Sequence, residues 1–253
     1  MSEGSKQIQL FPTCLVDEIR PEAGWAVVRV LEAAGLEVSL PEGLVCCGQP
    51  AYNAGFHEDA RQVLRHVLTV LDATEGWILI PSGSCADMLI HQSLELCRDD
   101  APLLEVARRV GSRCRELSAF LDEDLGWRGQ HLPRKDERVA YHPSCHLSRG
   151  LGVTESPGRL LESLRGIELV PFDEQDECCG FGGLFSVKQS DISASMMNRK
   201  LDRIEKSGAG TLVSCDLGCL VHLGGGLHRR QSGIRVCHVA EILAERLPQD
   251  EPA

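Results

Sequence analysis

The sequence predicts an α/β protein of two similar Rossmann-like lobes with parallel sheets, related by an internal pseudo-twofold duplication. Three observations predict it. One order of cysteines occurs twice, about 131 residues apart: Cys14, Cys46-Cys47 and Cys85, then Cys145, Cys178-Cys179 and Cys215, with Cys219 added in the second copy. Both vicinal pairs run into glycine, at Gly48 and Gly180. Short apolar runs end just before cysteines and alternate with helix-period stripes, so the cysteines sit at the carboxyl edge of a doubly wound sheet, where open α/β sheets build their sites.

In the first copy Ile8 to Phe11 reads as a strand ending at Pro12-Thr13-Cys14. Val27, Val30, Leu31 and Ala34 then recur at helical spacing and stop at Gly35. Leu36 to Leu40 alternates as a strand and delivers Cys46-Cys47-Gly48-Gln49-Pro50. Neighbouring side chains of an extended strand point to opposite faces, so a vicinal pair that acts jointly needs a turn or a helix start, which Gly48 and Pro50 supply. Ala60, Val63, Leu64, Val67, Leu68 and Leu71 form one apolar helical stripe. Trp77 to Ile80 is the next strand, ending in Pro81-Ser82-Gly83-Ser84-Cys85. Residues 86–96 and 103–110 read as helices, and Arg115 to Leu125 as the helix that closes the unit. Cys97 and Cys114 fall on these helical patterns without partners at ligand spacing and read as small buried hydrophobes.

Residues 126–137, polar and without periodicity, read as a linker between a first cysteine-rich domain, 1–125, and a second, 138–253. Arg138 to Tyr141 starts the second set of strands and leads to His142-Pro143-Ser144-Cys145-His146. A histidine beside such a site supports it from outside more often than it ligates. Leu160, Leu161 and Leu164 form a short helix before the strand Ile167 to Phe172. Asp173, Glu174, Asp176 and Glu177 precede Cys178-Cys179-Gly180-Phe181-Gly182-Gly183, and so many carboxylates read as a solvated loop. A long helix carries Ile192, Met196, Leu201 and Ile204. Thr211 to Ser214 is the third strand, and Cys215 and Cys219 follow one helical turn apart. Leu223-Gly224-Gly225-Gly226-Leu227 lacks the order of a phosphate-binding loop and reads as a helix-terminating turn. Cys237 and His238 open the last helix, with Cys237 assigned to the core.

The formal charge of −11 over 253 residues excludes a basic nucleic-acid surface. It suits solubility and is compatible with docking on a basic partner subunit. The first residues show no signal-peptide pattern and no apolar run reaches the ~18 residues of a membrane span, so a cytoplasmic protein is expected. In a reducing compartment twelve cysteines serve metal or redox chemistry more readily than disulfides. Zinc sites usually show two short CxxC knuckles. The duplicated pattern instead points to iron and sulfide, with Cys145, Cys178, Cys179, Cys215 and Cys219 as the fuller set and Cys14, Cys46, Cys47 and Cys85 as a second. Five thiolates exceed the four a cubane takes, which leaves either an exchangeable ligand or a cluster of another shape. No flavin or nicotinamide motif is visible, so the chain reads as a redox subunit that is not active alone.

At these residues the sequence resembles the family of duplicated cysteine-rich Cys-Cys-Gly proteins, which includes a subunit of heterodisulfide reductase. The wording Cys46-Cys47-Gly48-Gln49-Pro50-Ala51-Tyr52-Asn53, Pro81-Ser82-Gly83-Ser84-Cys85 and Cys178-Cys179-Gly180-Phe181-Gly182-Gly183 is similar to the lactate utilization protein A group within it, over roughly residues 7–247. The resemblance implies an iron-sulfur electron-transfer subunit of a cytoplasmic complex that oxidises L-lactate to pyruvate. Its implied partners are a ferredoxin-type iron-sulfur protein subunit and a third lactate-utilization subunit. It further implies a [4Fe-4S] cluster of the non-cubane kind on Cys145, Cys178, Cys179, Cys215 and Cys219, and an incomplete copy of that motif on Cys14, Cys46, Cys47 and Cys85. The competing functions are a cluster-dependent thiol-disulfide reductase subunit and a non-catalytic zinc-binding assembly subunit.

Overall fold

The computed structural model describes residues 7–248. The opening residues 1–6, read as free of a targeting signal, lie outside the described residues, as do 249–253. The first half runs β1 (Gln7–Leu10), α1 (Cys14–Glu18), α2 (Pro21–Ala33), β2 (Glu37–Ser39), α3 (Gln49–Asn53), α4 (His57–Asp72), β3 (Trp77–Ile80), α5 (Gly83–Asp87), α6 (Ser93–Leu96), α7 (Ala101–Arg113), β4 (Cys114–Glu116) and α8 (Leu117–Ala119). The second runs β5 (Glu137–Tyr141), α9 (Ser156–Glu162), β6 (Ile167–Leu169), α10 (Leu184–Lys188), α11 (Ser190–Ser207), β7 (Thr211–Ser214), α12 (Leu217–Arg229), β8 (Arg235–His238) and α13 (Val239–Ala244). Wider π-helical turns occupy Met88–Gln92, Phe120–Asp124 and His146–Gly150.

The two halves form four-stranded sheets of matching order, β2-β1-β3-β4 and β6-β5-β7-β8, with every pairing parallel. The two similar α/β lobes are therefore present. Because successive strand residues point to opposite faces, each central strand feeds two cores. Ile8, Leu10 and Leu79 face one core while Ile78 and Ile80 face another. In the second sheet Val139 and Val213 join that same first core, and Ala140 and Leu212 face a third. One apolar core is thus shared between the sheets, and α2 and α13 pack together across it. Arg20 on the first half reaches Glu241 on α13 at 2.7 Å. No helix among the described residues is long and apolar enough to cross a membrane.

Three local expectations are corrected. Cys114 and Cys237 do not lie on helices. They lie on β4 and β8, edge strands of three and four residues. Each strand runs straight into helical backbone, at Leu117 and Val239, so the helical period of the following residues masks it. Both thiols are buried, which pushes each up to about 12. The glycine run does not end a helix either: Gly224, Gly225 and Gly226 lie inside α12. A Cβ on Gly224 would stand 2.9 Å from Val236, and one on Gly226 would stand 2.5 Å from Leu201, so close packing on β8 and α11 excludes side chains there. On α11 the buried face holds Ser193, Met197, Lys200, Leu201 and Ile204, while Ile192 is exposed.

Candidate metal centre

Each lobe builds its half of the site with the same parts. A strand end, β1 or β5, is followed by proline and by a hydroxyl residue, Thr13 or Ser144, then by cysteine. Thr13 Oγ1 accepts the Val16 amide at 3.4 Å, and Ser144 Oγ accepts the Leu147 amide at 3.3 Å, so each cysteine opens a helical turn. The vicinal pairs sit in the loops before α3 and α10, and the glycine after each has φ of +88°. That left-handed backbone suits glycine alone among common residues. Around Gly180 a Cβ would lie 2.8 Å from the Ser193 carbonyl oxygen. The turn also aims amides at sulfur: Gly180 N–H donates to Cys178 Sγ and Phe181 N–H to Cys179 Sγ, each at 3.4 Å.

The third strand ends correct the register of the two copies. Ser82 precedes α5 and Asp216 precedes α12 as N-cap residues, so Cys85 and Cys219 occupy the same helical position and Cys215 matches Pro81. The sulfur contacts agree, with Cys47 and Cys85 at 3.4 Å and Cys179 and Cys219 at 3.2 Å. Cys14 lies 3.8 Å from Cys46, and Cys145 neighbours Cys178 in the second lobe. Each lobe therefore presents four thiols. All eight, Cys14, Cys46, Cys47, Cys85, Cys145, Cys178, Cys179 and Cys219, line one cavity of about 170 Å³. Cys215 does not line it. That thiol is fully buried in the shared core beside Ser118 and Tyr141, where burial pushes it well up.

Contacts across the lobes hold the two halves of the cavity. Asp216 accepts the Gly218 amide of its own helix at 3.1 Å, the Ser84 amide of α5 at 2.9 Å and the Ser82 hydroxyl at 3.3 Å. Ser82 makes no side-chain cap of its own, so one carboxylate holds the N-termini of both cysteine-bearing helices. Asp87, itself buried, accepts from His146 at 2.8 Å and lies 3.0 Å from His91. Burial pushes the Asp87 carboxyl up, but the two imidazoles outweigh it and hold it below the ordinary range.

Sulfur clustering divides the thiols by acidity. The bond from Cys14 pulls Cys46 far down, and the bond from Cys145 does the same to Cys178. The donors Cys14 and Cys145 are pushed up by those bonds and by burial. Each lobe thus has one cysteine biased toward the thiolate, the form that ligates metals and attacks electrophiles. The acidic loop before Cys178 does not act on it directly. Glu174 and Glu177 pair with Arg203, and the Asp176 carbonyl accepts from Arg149.

Two buried residues of the second lobe stand closer to the thiols than the sequence suggests. His142, fully buried, has no hydrogen-bond partner on either ring nitrogen among the described residues, and one of them lies within 4.8 Å of both Cys179 Sγ and Cys219 Sγ. Desolvation pushes its imidazole down to about 3, so the ring is neutral. Lys200, absent from the sequence reading, is 1% exposed, donates to the Gln175 carbonyl at 3.0 Å and stands over the Phe172 ring. Its position within a helical stripe was the signal: a lysine on the apolar face of α11.

The donor set fits an iron-sulfur centre. Unbridged cysteines of both lobes surround one cavity, and the glycine turn of the second lobe points amides at Cys178 and Cys179, a donor set of the kind that holds and tunes such groups.

Comparison with known proteins agrees with this architecture. The family model of the Cysteine-rich domain, CCG, matches residues 8–90 and again 139–224. Lactate utilization protein A 2 of Bacillus cereus (strain Q1) is 41% identical over 244 residues, covering 95% of this chain and 99% of that protein. Lactate utilization protein A of Bacillus licheniformis is 40% identical over 245 residues, 95% of this chain and 100% of that protein. A crystal structure of a hypothetical protein from Helicobacter pylori superposes with a TM-score of 0.69 at 13% identity, over 97% of this chain and 50% of that one, and so shares the fold. By two matched domains and by near full-length identity, the chain belongs to the lactate utilization protein A family of proteins built on the Cysteine-rich domain.

Proposed function

We propose that this chain is the iron-sulfur redox subunit of a cytoplasmic complex that oxidises L-lactate to pyruvate. The relatives' shared name supports the lactate pathway. One observation carries the redox reading: two matching four-thiol sets open on a single cavity. Cys14, Cys46, Cys47 and Cys85 would hold one centre and Cys145, Cys178, Cys179 and Cys219 the other, in domains 1–125 and 138–253. Cys215 is left in the core. When bound, iron-sulfur clusters supply one-electron exchange.

The chain's own residues prepare the site for that exchange. Gly180 and Phe181 amides stabilise thiolate charge on Cys178 and Cys179. Asp216 fixes Cys85 and Cys219 relative to each other through the two helix ends. Gly48 and Gly180 allow the backbone to approach without side-chain bulk. Lactate oxidation releases two electrons, and a chain with two centres but no flavin or nicotinamide motif suits their onward transfer through a ferredoxin-type partner and a third subunit. A thiol-disulfide reductase is the second reading, and the lowered thiols of Cys46 and Cys178, which line the cavity, favour it.

The complex, isolated anaerobically with its partners, tests the choice. L-lactate added to it is expected to reduce the iron-sulfur centres, seen as an EPR change from which the Cys219→Ala chain loses the second lobe's share. Reduction of small disulfides without any response to lactate would move the function to the second reading. Normal growth on L-lactate after deletion of the gene, with no duplicate copy, would overturn both the pathway and the complex.

A further inference from the structure

The corrected register lets the lobes be compared residue by residue, and the walls around the two thiol sets differ. His142 occupies the place of Phe11, since each follows its strand, β5 or β1, directly precedes a proline and stands three residues before the first cysteine of its set. Ser193 and Ala60 are the residues met by Gly180 and Gly48, so Lys200 and Val67, seven residues on, are also equivalent. His222 and Met88 match in the same way, three residues after Cys219 and Cys85. Three apolar positions of the first lobe are thus basic or imidazole-bearing in the second. The scaffold needs only an apolar filler at these places, as the first lobe demonstrates.

His142 is the residue this difference bears on most. Leaving a polar group buried and unpaired costs about 1 to 3 kcal/mol, and both nitrogens of this ring are in that state. A phenyl ring at the same place carries no such cost. The ring does not itself line the cavity, but one of its nitrogens lies within 4.8 Å of the sulfurs of Cys179 and Cys219, the deeper pair of its set. The Gln175 carbonyl lies near the ring, an acceptor of the kind that supports a ligating imidazole. That carbonyl also accepts from Lys200, whose charge is felt at Cys179 and Cys219.

We infer that His142 is a nitrogen ligand of the metal centre in the second lobe, so that the chain carries one all-thiolate centre and one mixed thiolate-imidazole centre. This rests on the reading of the two thiol sets as metal-binding. The set already offers four thiols, so the imidazole would stand in for one of them at the centre, and a neutral nitrogen in place of a thiolate raises the reduction potential of a cluster, which makes the second lobe the electron-accepting end.

The test uses the full chain, purified anaerobically with its metal and grown with histidine labelled in heavy nitrogen. Pulsed EPR is expected to show a directly bonded nitrogen whose coupling changes with the histidine label. The coupling should be lost in His142→Phe, which installs the first lobe's residue, and kept in His222→Met, which does the same at the neighbouring histidine. The potential of one centre should fall in His142→Phe while the other stays. Absence of a label-sensitive coupling in the unaltered chain, its survival in His142→Phe or its loss only in His222→Met would each overturn the assignment. Iron and sulfide analysis comes first, and protein without them refutes the cluster reading separately. X-ray absorption at the edge of whatever metal is present then still decides whether nitrogen is bound, and an all-sulfur shell overturns the inference.

Discussion

Removal of the Asp216 carboxylate should loosen both halves of the site at once. Asp216 is 4% exposed and satisfies three donors: the Gly218 amide at 3.1 Å, the Ser84 amide at 2.9 Å and the Ser82 hydroxyl at 3.3 Å. Loss of the cap on its own helix costs about 1 kcal/mol. Loss of the charge-assisted bonds to the opposite lobe adds about 2 kcal/mol, since a bond to a charged group contributes about 1.5 to 3 kcal/mol and the hydroxyl contact is long. Asp216→Ala should therefore destabilise by about 3 kcal/mol, which at this chain length lowers the melting temperature by about 6 to 12 °C. Asp216→Asn keeps one acceptor and should cost about half as much. Urea titration of the reduced, metal-free chain measures this, with the midpoint falling at unchanged slope. A double-mutant cycle with Ser82→Ala should give a coupling of about 0.5 to 1 kcal/mol between the lobes. A loss below about 0.5 kcal/mol in Asp216→Ala, or an Asn variant as unstable as the Ala variant, would refute the bridging role.

Gly180→Ala combines a left-handed backbone with a carbonyl oxygen 2.8 Å from the new Cβ, and should cost about 3 kcal/mol in the same titration. Gly35→Ala has φ of +81° in open space and should cost only about 1 kcal/mol, so equal losses would argue against the steric reading. Glu137 lies among Arg235 at 2.8 Å, Arg246 at 3.1 Å and the Thr211 hydroxyl at 2.6 Å. Burial pushes its carboxyl up, but these partners outweigh it and hold it at about 2. Its contribution is therefore full above the unfolded value near 4.5 and is lost as pH falls toward 2. Glu137→Gln should cost about 2 to 3 kcal/mol at pH 7 and flatten the acid limb of the stability curve, and an unchanged limb would count against the pairing. Cys215→Ser should leave metal content unchanged while Cys219→Ala lowers it, as measured by iron per chain; the reverse order would return Cys215 to the site.

Most of the central sheet was legible because its strands end at recognisable stops. Trp77 to Ile80 and Thr211 to Ser214 match the observed strands residue for residue. The edge strands β4 and β8 were hidden by the helical period that begins one residue later at Leu117 and Val239. The cysteine register misled for a different reason. From Cys47 to Cys85 there are 37 intervening residues, and from Cys179 there are 35 to Cys215 and 39 to Cys219, so spacing alone is neutral between the two. The deciding signal was local chemistry: Ser82 and Asp216 are helix-capping residue types, each three residues before a cysteine. With that register the first copy is no longer incomplete, and the asymmetry moves from the cysteines to His142, Lys200 and His222. Those positions become informative only when each is set beside its apolar counterpart in the other lobe.

The central claim, two four-thiol centres on one cavity, is tested most directly by iron, zinc and acid-labile sulfide analysis of the anaerobically purified chain beside Cys85→Ala and Cys219→Ala. Iron and sulfide for two clusters in the unaltered chain, falling by about half in each variant, is the predicted result. Stoichiometric zinc without sulfide, or a content that Cys85→Ala leaves untouched, would contradict it.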